Sequence, residues 1–156
     1  MASDYGISAL PVLAGALAIT PMPGRGGNYD VDLRALVAWG PQLVVTMTPL
    51  VELAAQDMPD DLAARGISWA HLPIADFGVP SGVGPWGAIE AQALELLRSG
   101  GRVLVHCRAG CGRSGMACLR IMVAAGEDGR TALKRLRAVR PCAVETGAQM
   151  DWALGG

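Results

Sequence analysis

Val103 to Gly115 reads VLVHCRAGCGRSG. Arg102 to His106 (RVLVH) is a short run rich in β-branched residues and predicts a buried strand. Cys107 to Gly112 predicts a tight, glycine-bearing loop, and Arg113 to Ala125 a helix that is apolar on most sides. A short loop between a strand and a helix N-terminus turns its amide N–H groups toward one point, and the helix dipole adds positive potential there. Gly110 and Gly112 allow the backbone angles this curl needs. The product is a cradle sized for a phosphate dianion, formed by Arg108, Ala109, Gly110, Cys111, Gly112 and Arg113. Such surroundings favour the thiolate, the nucleophilic form of a cysteine at the cradle's base, here Cys107. The Arg113 guanidinium ends the loop with a planar fork that can hold two phosphoryl oxygens. The Ser114 hydroxyl follows at once, within reach of a departing sulfur.

Outward from this string, strands alternate with helices. Ala9 to Ile19 predicts an early buried strand or hairpin. Asp30 to Trp39 predicts a helix with Asp30 or Asp32 at its cap. Leu43 to Met47 predicts a strand, Pro49 to Ala55 a helical turn, Asp60 to Arg65 a helix and Ile67 to Leu72 a strand. Pro73 to Gly87 is a long Pro- and Gly-rich loop of functional length. Helices follow at Ala88 to Arg98, Gly129 to Val139 and Gly147 to Leu154. This order predicts an α/β domain, a single layered unit over residues 1–156, with a central and mostly parallel sheet flanked by helices. Pro21 to Asn28 (PMPGRGGN) lacks the spacing of a nucleotide-binding loop and reads as a flexible connection.

Composition sets outer bounds. The chain has 156 residues, 51% of them hydrophobic, which is ample for one core. The formal net charge of −1 gives no bulk attraction to nucleic acid or anionic membrane, so neither is expected as a partner. The apolar run at Ala9 to Ile19 has no basic residues before it and is too short to span a bilayer. Stable membrane association is therefore not expected. Cys107, Cys111, Cys118 and Cys142 are absent from the first hundred residues, which argues against a disulfide framework and for a reducing, cytoplasmic setting.

His106-Cys107-Arg108-Ala109-Gly110-Cys111-Gly112-Arg113-Ser114 resembles the signature loop of the protein tyrosine phosphatase superfamily, in which His and Cys precede five variable residues, Arg and Ser. The chain as a whole resembles the small dual-specificity and kinase-associated-phosphatase-like branch. The resemblance implies a dual-specificity phosphatase-like fold, hydrolysis of a phosphomonoester through a phosphocysteine, no cofactor and no metal. Catalytic roles fall on Cys107, Arg113 and Ser114, and His106 is implied as a structural hydrogen-bonder. A general acid is implied about thirty residues before the nucleophile, where Asp76 stands among Leu72-Pro73-Ile74-Ala75-Asp76-Phe77-Gly78. Asp57, Asp60 and Asp61 compete by charge alone. The tail Arg140-Pro141-Cys142-Ala143-Val144-Glu145-Thr146-Gly147-Ala148-Gln149 also matches the branch, except that Cys142 stands where Gly is usual. Gln149 either places the hydrolytic water or hydrogen-bonds near the cradle, and Glu145 or Glu52 orients Arg113.

The implied substrate is a phosphorylated protein or a small phosphate-bearing molecule, with the chain acting as a monomer. A phosphoinositide phosphatase, a catalytically silent phosphoprotein-binding module and a sulfurtransferase or arsenate-handling enzyme are the rivals. Arg108 either adds basic character to the loop or points to solvent. A low-pKa thiol beside other cysteines also suggests that oxidised Cys107 is trapped by Cys111, Cys118 or Cys142.

Overall fold

The computed structural model describes residues 5–82 and 84–155. Val83, within the long loop, lies outside the described residues. The predicted hairpin is present as β1 (Ser8–Val12) and β2 (Gly15–Thr20), joined through Leu13 in a left-handed conformation. Helix α1 (Tyr29–Trp39), β3 (Leu43–Thr46), a 3₁₀ turn (Leu50–Glu52), α2 (Met58–Ala64) and β4 (Ser68–His71) follow. Then come α3 (Trp86–Arg98), β5 (Arg102–His106), α4 (Gly112–Ala124), α5 (Gly129–Val139) and α6 (Gly147–Ala153). The sheet order is β1-β2-β5-β3-β4, with β1 antiparallel to β2 and the other pairs parallel. This is the α/β architecture the alternating pattern predicts.

Strands buried on both faces read as continuous apolar runs, yet the period of two still sorts their side chains. Leu17, Ile19, Leu43, Val45, Val103 and Val105 pack into the core shared with α3, α4, α5 and α6. Ala18, Val44 and Leu104 point the other way, into the core beneath α1 and α2. Full burial of one such Leu, Ile or Val contributes roughly 1.5–3 kcal/mol. The strand β5 therefore lies in the middle of the sheet with its carboxyl end at His106, aligned with Thr20 of β2 and Thr46 of β3. Crevices outside the carboxyl ends of parallel strands are where such sheets bind ligands.

Element ends differ from the predicted ones for local reasons. Asn28 caps α1, its Oδ1 accepting from Val31 N at 3.4 Å, rather than Asp30 or Asp32. Asp32 is instead buried and accepts from Gly24 N at 2.8 Å. Helix α2 begins earlier than predicted, with Pro59 in its first turn, where a missing N–H costs nothing. Helix α3 also begins earlier, at Trp86, whose ring is buried edge-on against Trp152 at 5.0 Å between centroids. Tertiary packing supplied that turn, and the Gly-Pro-rich approach concealed it. No helix of the described residues is long and apolar enough to cross a membrane.

Candidate active site

Cys107 sits where β5 ends, 2% exposed, with its Sγ 3.1 Å from the Ser114 hydroxyl in the first turn of α4. From there the backbone curls with its carbonyls turned outward, and each has a named donor. His106 O accepts from Met47 N at 3.0 Å, and Cys107 O accepts from His106 Nδ1 at 3.0 Å. Arg108 O accepts from Met22 N at 3.0 Å. Ala109 O and Gly110 O accept from Arg140 Nη2 and Nε at 2.8 and 2.9 Å. Cys111 O accepts from Gly115 N at 2.9 Å and Val144 N at 3.1 Å. Among the described residues, no backbone N–H from Cys107 to Gly112 has a protein acceptor. Peptide planarity explains the pairing of these facts: a carbonyl pulled outward turns the following N–H inward. The N-terminus of α4 adds its dipole to the same point.

Gly110 has φ +74°, and a Cβ there would lie 2.5 Å from Pro21 N and Thr20 C. The loop therefore needs glycine for its backbone angle and for its close approach to the β2–α1 connection. Together with the Met22 bond, this corrects the reading of Pro21 to Asn28 as a flexible link. That connection is fastened to the loop that follows Cys107.

His106 is fully buried and acts structurally. Trp69 Nε1 donates to Thr46 Oγ1 at 2.8 Å, and the Thr46 hydroxyl lies 2.7 Å from His106 Nε2. Because Nδ1 donates to the Cys107 carbonyl, Nε2 is the acceptor for Thr46, and the ring is neutral. Burial lowers its pKa to about 4.

Arg113 is 2% exposed and spans the floor of the site. Its Nη1 and Nη2 bind Glu52 Oε2 and Oε1 at 2.9 and 3.1 Å, and Nη1 also donates to Ile74 O at 2.8 Å. Burial works against its charge, but Glu52, Cys107 and Asp76 together outweigh this and raise its pKa. Of the two carboxylates suggested by the sequence, Glu52 orients Arg113. Glu145 lies instead at the cavity wall. The carbonyl of Ile74 was not legible as an anchor, because backbone acceptors leave no residue signature.

Asp76 reaches Arg113 Nη2 at 3.4 Å while its side chain stays 52% exposed. It lines a cavity of about 250 Å³ together with Arg25, Phe77, Cys107, Arg108, Ala109, Arg113 and Glu145. The predicted nucleophile, the predicted acid and the predicted phosphate-binding arginine therefore meet around one space. Asp57, Asp60 and Asp61 are not among its lining residues. Gln149 is buried outside that lining. Its Oε1 accepts from Glu145 N and Thr146 N, and its Nε2 donates to Gly78 O at 3.2 Å. This ties α6 to the loop that carries Asp76, and favours the hydrogen-bonding role for Gln149.

The cysteines depart from the expectation. Cys111 and Cys142 form a disulfide with Cα atoms 5.1 Å apart, leaving Cys107 and Cys118 as free thiols. Cys111 and Cys142 are thus paired with each other and not with Cys107. Their sequence separation of 31 residues hid the pair, because α4 and α5 must fold back to join them. Cys118 is buried facing Ala18 O, and burial raises its pKa.

The chain is similar to known proteins in sequence and in fold. The family model described as "Swiss Army Knife protein, DSP-PTPase phosphatase domain" matches residues 22–152. Cyclin-dependent kinase inhibitor 3 of Mus musculus is 32% identical over 130 residues, covering 80% of this chain and 61% of the relative's length. The active form of Tk-PTP is 35% identical with a TM-score of 0.74, over 95% of this chain and 94% of that one. Kinase associated phosphatase, with its catalytic-site cysteine replaced by serine, superposes with a TM-score of 0.86 at 22% identity, over 98% and 94% of the two chains. The chain belongs to the dual-specificity protein tyrosine phosphatase family.

Proposed function

We propose that this chain hydrolyses phosphomonoesters on proteins through a phosphocysteine intermediate. One observation carries the reading: Cys107 and the buried Arg113 line one cavity, and the loop between them has its carbonyls held by outside donors and, among the described residues, its backbone N–H groups without protein acceptors. Such preorganised donors stabilise a transferring phosphoryl group without reorganising. Cys107 Sγ attacks phosphorus as the ester bond breaks, and Asp76 gives its proton to the leaving oxygen. Water then attacks the phosphocysteine, Asp76 takes its proton, and the Ser114 hydroxyl supports the departing sulfur at 3.1 Å. Arg113 bridges the phosphoryl oxygens in both steps. In the structure Asp76 leans on Arg113, so an arriving phosphate releases it by taking over that guanidinium.

A narrower feature bears on specificity. Arg25, from the β2–α1 connection, lines both the catalytic cavity and a neighbouring one of about 340 Å³ bounded also by Tyr5, Pro21, Met22, Gly26 and Asp32. Arg25 and Arg108 have no ion pair among the described residues. They favour substrates with a second negative group beside the reacting phosphate, an acidic flank of a phosphopeptide first among them. The chain acts as a monomer, and its net charge of −1 gives no bulk attraction to a nucleic-acid partner; the reducing, cytoplasmic setting expected from cysteine usage loses that support, because Cys111 and Cys142 are disulfide-bonded.

Hydrolysis of an aryl phosphate by the wild type and by Cys107→Ser tests the mechanism. The substitution reduces turnover to background. Turnover at the wild-type rate in Cys107→Ser would remove the phosphocysteine from the pathway.

A further inference from the structure

We propose that Arg140 and Cys142 are positioning residues for the phosphate loop, and that the disulfide makes the Cys142 contribution switchable by thiol reductants. Both residues stand in the connection between α5 and α6, and both grip the same turn of the loop. The Arg140 guanidinium bridges two consecutive carbonyls, with Nε on Gly110 O at 2.9 Å and Nη2 on Ala109 O at 2.8 Å. Because each peptide unit is planar, holding those carbonyls outward aims the N–H groups of Gly110 and Cys111 into the cradle. Arg140 touches no reacting atom and acts only through the loop it holds.

The next residue of the loop, Cys111, is bonded covalently to Cys142. Val144 N adds a hydrogen bond to Cys111 O at 3.1 Å, and Arg137 holds this connection through Ala143 O and Val144 O at 2.9 Å each. The far side of the loop is pinned differently, by Met22 N on Arg108 O and by the close approach of Gly110 to Thr20 and Pro21. The disulfide is the one fastening in this set that chemistry can open without unfolding the chain. Cys142 is exposed and Cys111 half-buried, so a small dithiol can reach the bond. The dithiol passes two electrons and two protons to the pair. Cys111 and Cys142 become thiols, and the reductant closes its own disulfide. Cys107 takes no part in this exchange. The oxidised pair is therefore the form that holds the cradle ready for phosphate, and reduction loosens it while leaving the nucleophile intact.

This inference rests on the phosphatase reading in taking inorganic phosphate as the loop's ligand. The experiment measures phosphate binding by calorimetry, and its inhibition of aryl phosphate hydrolysis, under anaerobic conditions before and after dithiothreitol. Alkylation and mass measurement report the state of the Cys111–Cys142 bond. Wild type, Cys142→Ser, Arg140→Ala and Arg140→Lys are compared. Oxidised wild type binds phosphate several-fold more tightly than reduced wild type. Cys142→Ser resembles the reduced protein and no longer responds to dithiothreitol. Arg140→Ala weakens phosphate binding by up to about 100-fold in either state, and Arg140→Lys recovers part of the loss. Reduction of the wild type needs no substitution, so the comparison survives a variant that folds poorly. Equal phosphate affinity in the oxidised and reduced wild type overturns the switch. Unchanged affinity in Arg140→Ala overturns the positioning role. A wild type that binds phosphate in a redox-dependent way but hydrolyses no aryl phosphate leaves this proposal standing and ends the phosphatase reading.

Discussion

The loop from Cys107 to Arg113 and the loop carrying Asp76 line the same cavity, and they are held by different means. Each carbonyl of the first, from His106 to Cys111, is tied to β3, the β2–α1 connection, Arg140, its own helix or its own histidine. In the second, Ala75, Asp76, Phe77 and Val79 are exposed; Ile74 is held at its base by Met47 O at 3.3 Å and Arg113 Nη1 at 2.8 Å, Gly78 N turns back on Ala75 O at 2.8 Å, and beyond Ile74 the ties to other segments are Asp76 to Arg113 at 3.4 Å and Gln149 Nε2 to Gly78 O at 3.2 Å. Phe77 adopts φ +61°, in the left-handed region. The contrast fits the roles proposed for the two loops. Donors that stabilise developing charge work best when they do not move. An acid that meets substrates of different shape needs freedom to swing over them.

That contrast breaks if substitutions in the two loops behave alike. The largest effect separates them: Asp76→Asn slows hydrolysis of substrates with poor leaving groups by about 10²–10⁴-fold and leaves the unfolding midpoint unchanged. Its loss shrinks as the leaving group improves, because a good leaving group needs no proton. A uniform loss across leaving groups would take the acid role from Asp76.

Gly110→Ala should do the opposite and strike structure first. The added Cβ meets the backbone at Thr20 and Pro21, and the φ of +74° disfavours any side chain. We expect a stability loss of about 1–3 kcal/mol together with weaker phosphate binding, read from urea unfolding and inhibition by phosphate. A stable variant with normal phosphate affinity would show that the cradle tolerates movement.

Glu52→Gln tests the floor between the two loops. It removes the carboxylate that holds Arg113 through two hydrogen bonds, leaving Ile74 O and the Asp76 contact. Weaker substrate binding and a destabilisation of about 1–3 kcal/mol should appear together. Normal KM in this variant would assign the orientation of Arg113 to the backbone alone.

The effect confined to the narrowest range of conditions is a pH dependence. The folded-state pKa of His106, about 4, lies below its ordinary value of 6.5. The unfolded chain therefore binds more protons across that window, and stability rises with pH through it. The contribution is complete above the unfolded value and is lost as pH falls toward 4, at about 1.4 kcal/mol per pH unit at most. Urea unfolding between pH 7 and pH 4 should show a flatter profile for His106→Gln. Parallel profiles would remove His106 as the source.

Much of the site was legible because its chemistry is local. Cys107, Arg113 and Ser114 lie within one loop and one helical turn, so their spacing alone brings them together. Asp76 was legible only through the resemblance, and the fold had to place it beside Arg113. Glu52 was legible only as a rival to Glu145 for Arg113, and the roles of Arg140 and the Cys111–Cys142 pair were not legible. Each reaches the loop from a distant segment, and nothing in a charge or a lone cysteine announces its partner.

Local sequence was enough to specify the alternation of strands and helices and the strand–loop–helix unit around Cys107. Hydrophobic period, glycine placement and short-range spacing act within a few residues, and they suffice for those features. What holds the loop was set by long-range packing: Met22 from one connection, Arg140 and Cys142 from another, Glu52 beneath Arg113. Those choices depend on which segments the sheet order and helix packing bring to the carboxyl end of β5, and that is a property of the whole chain.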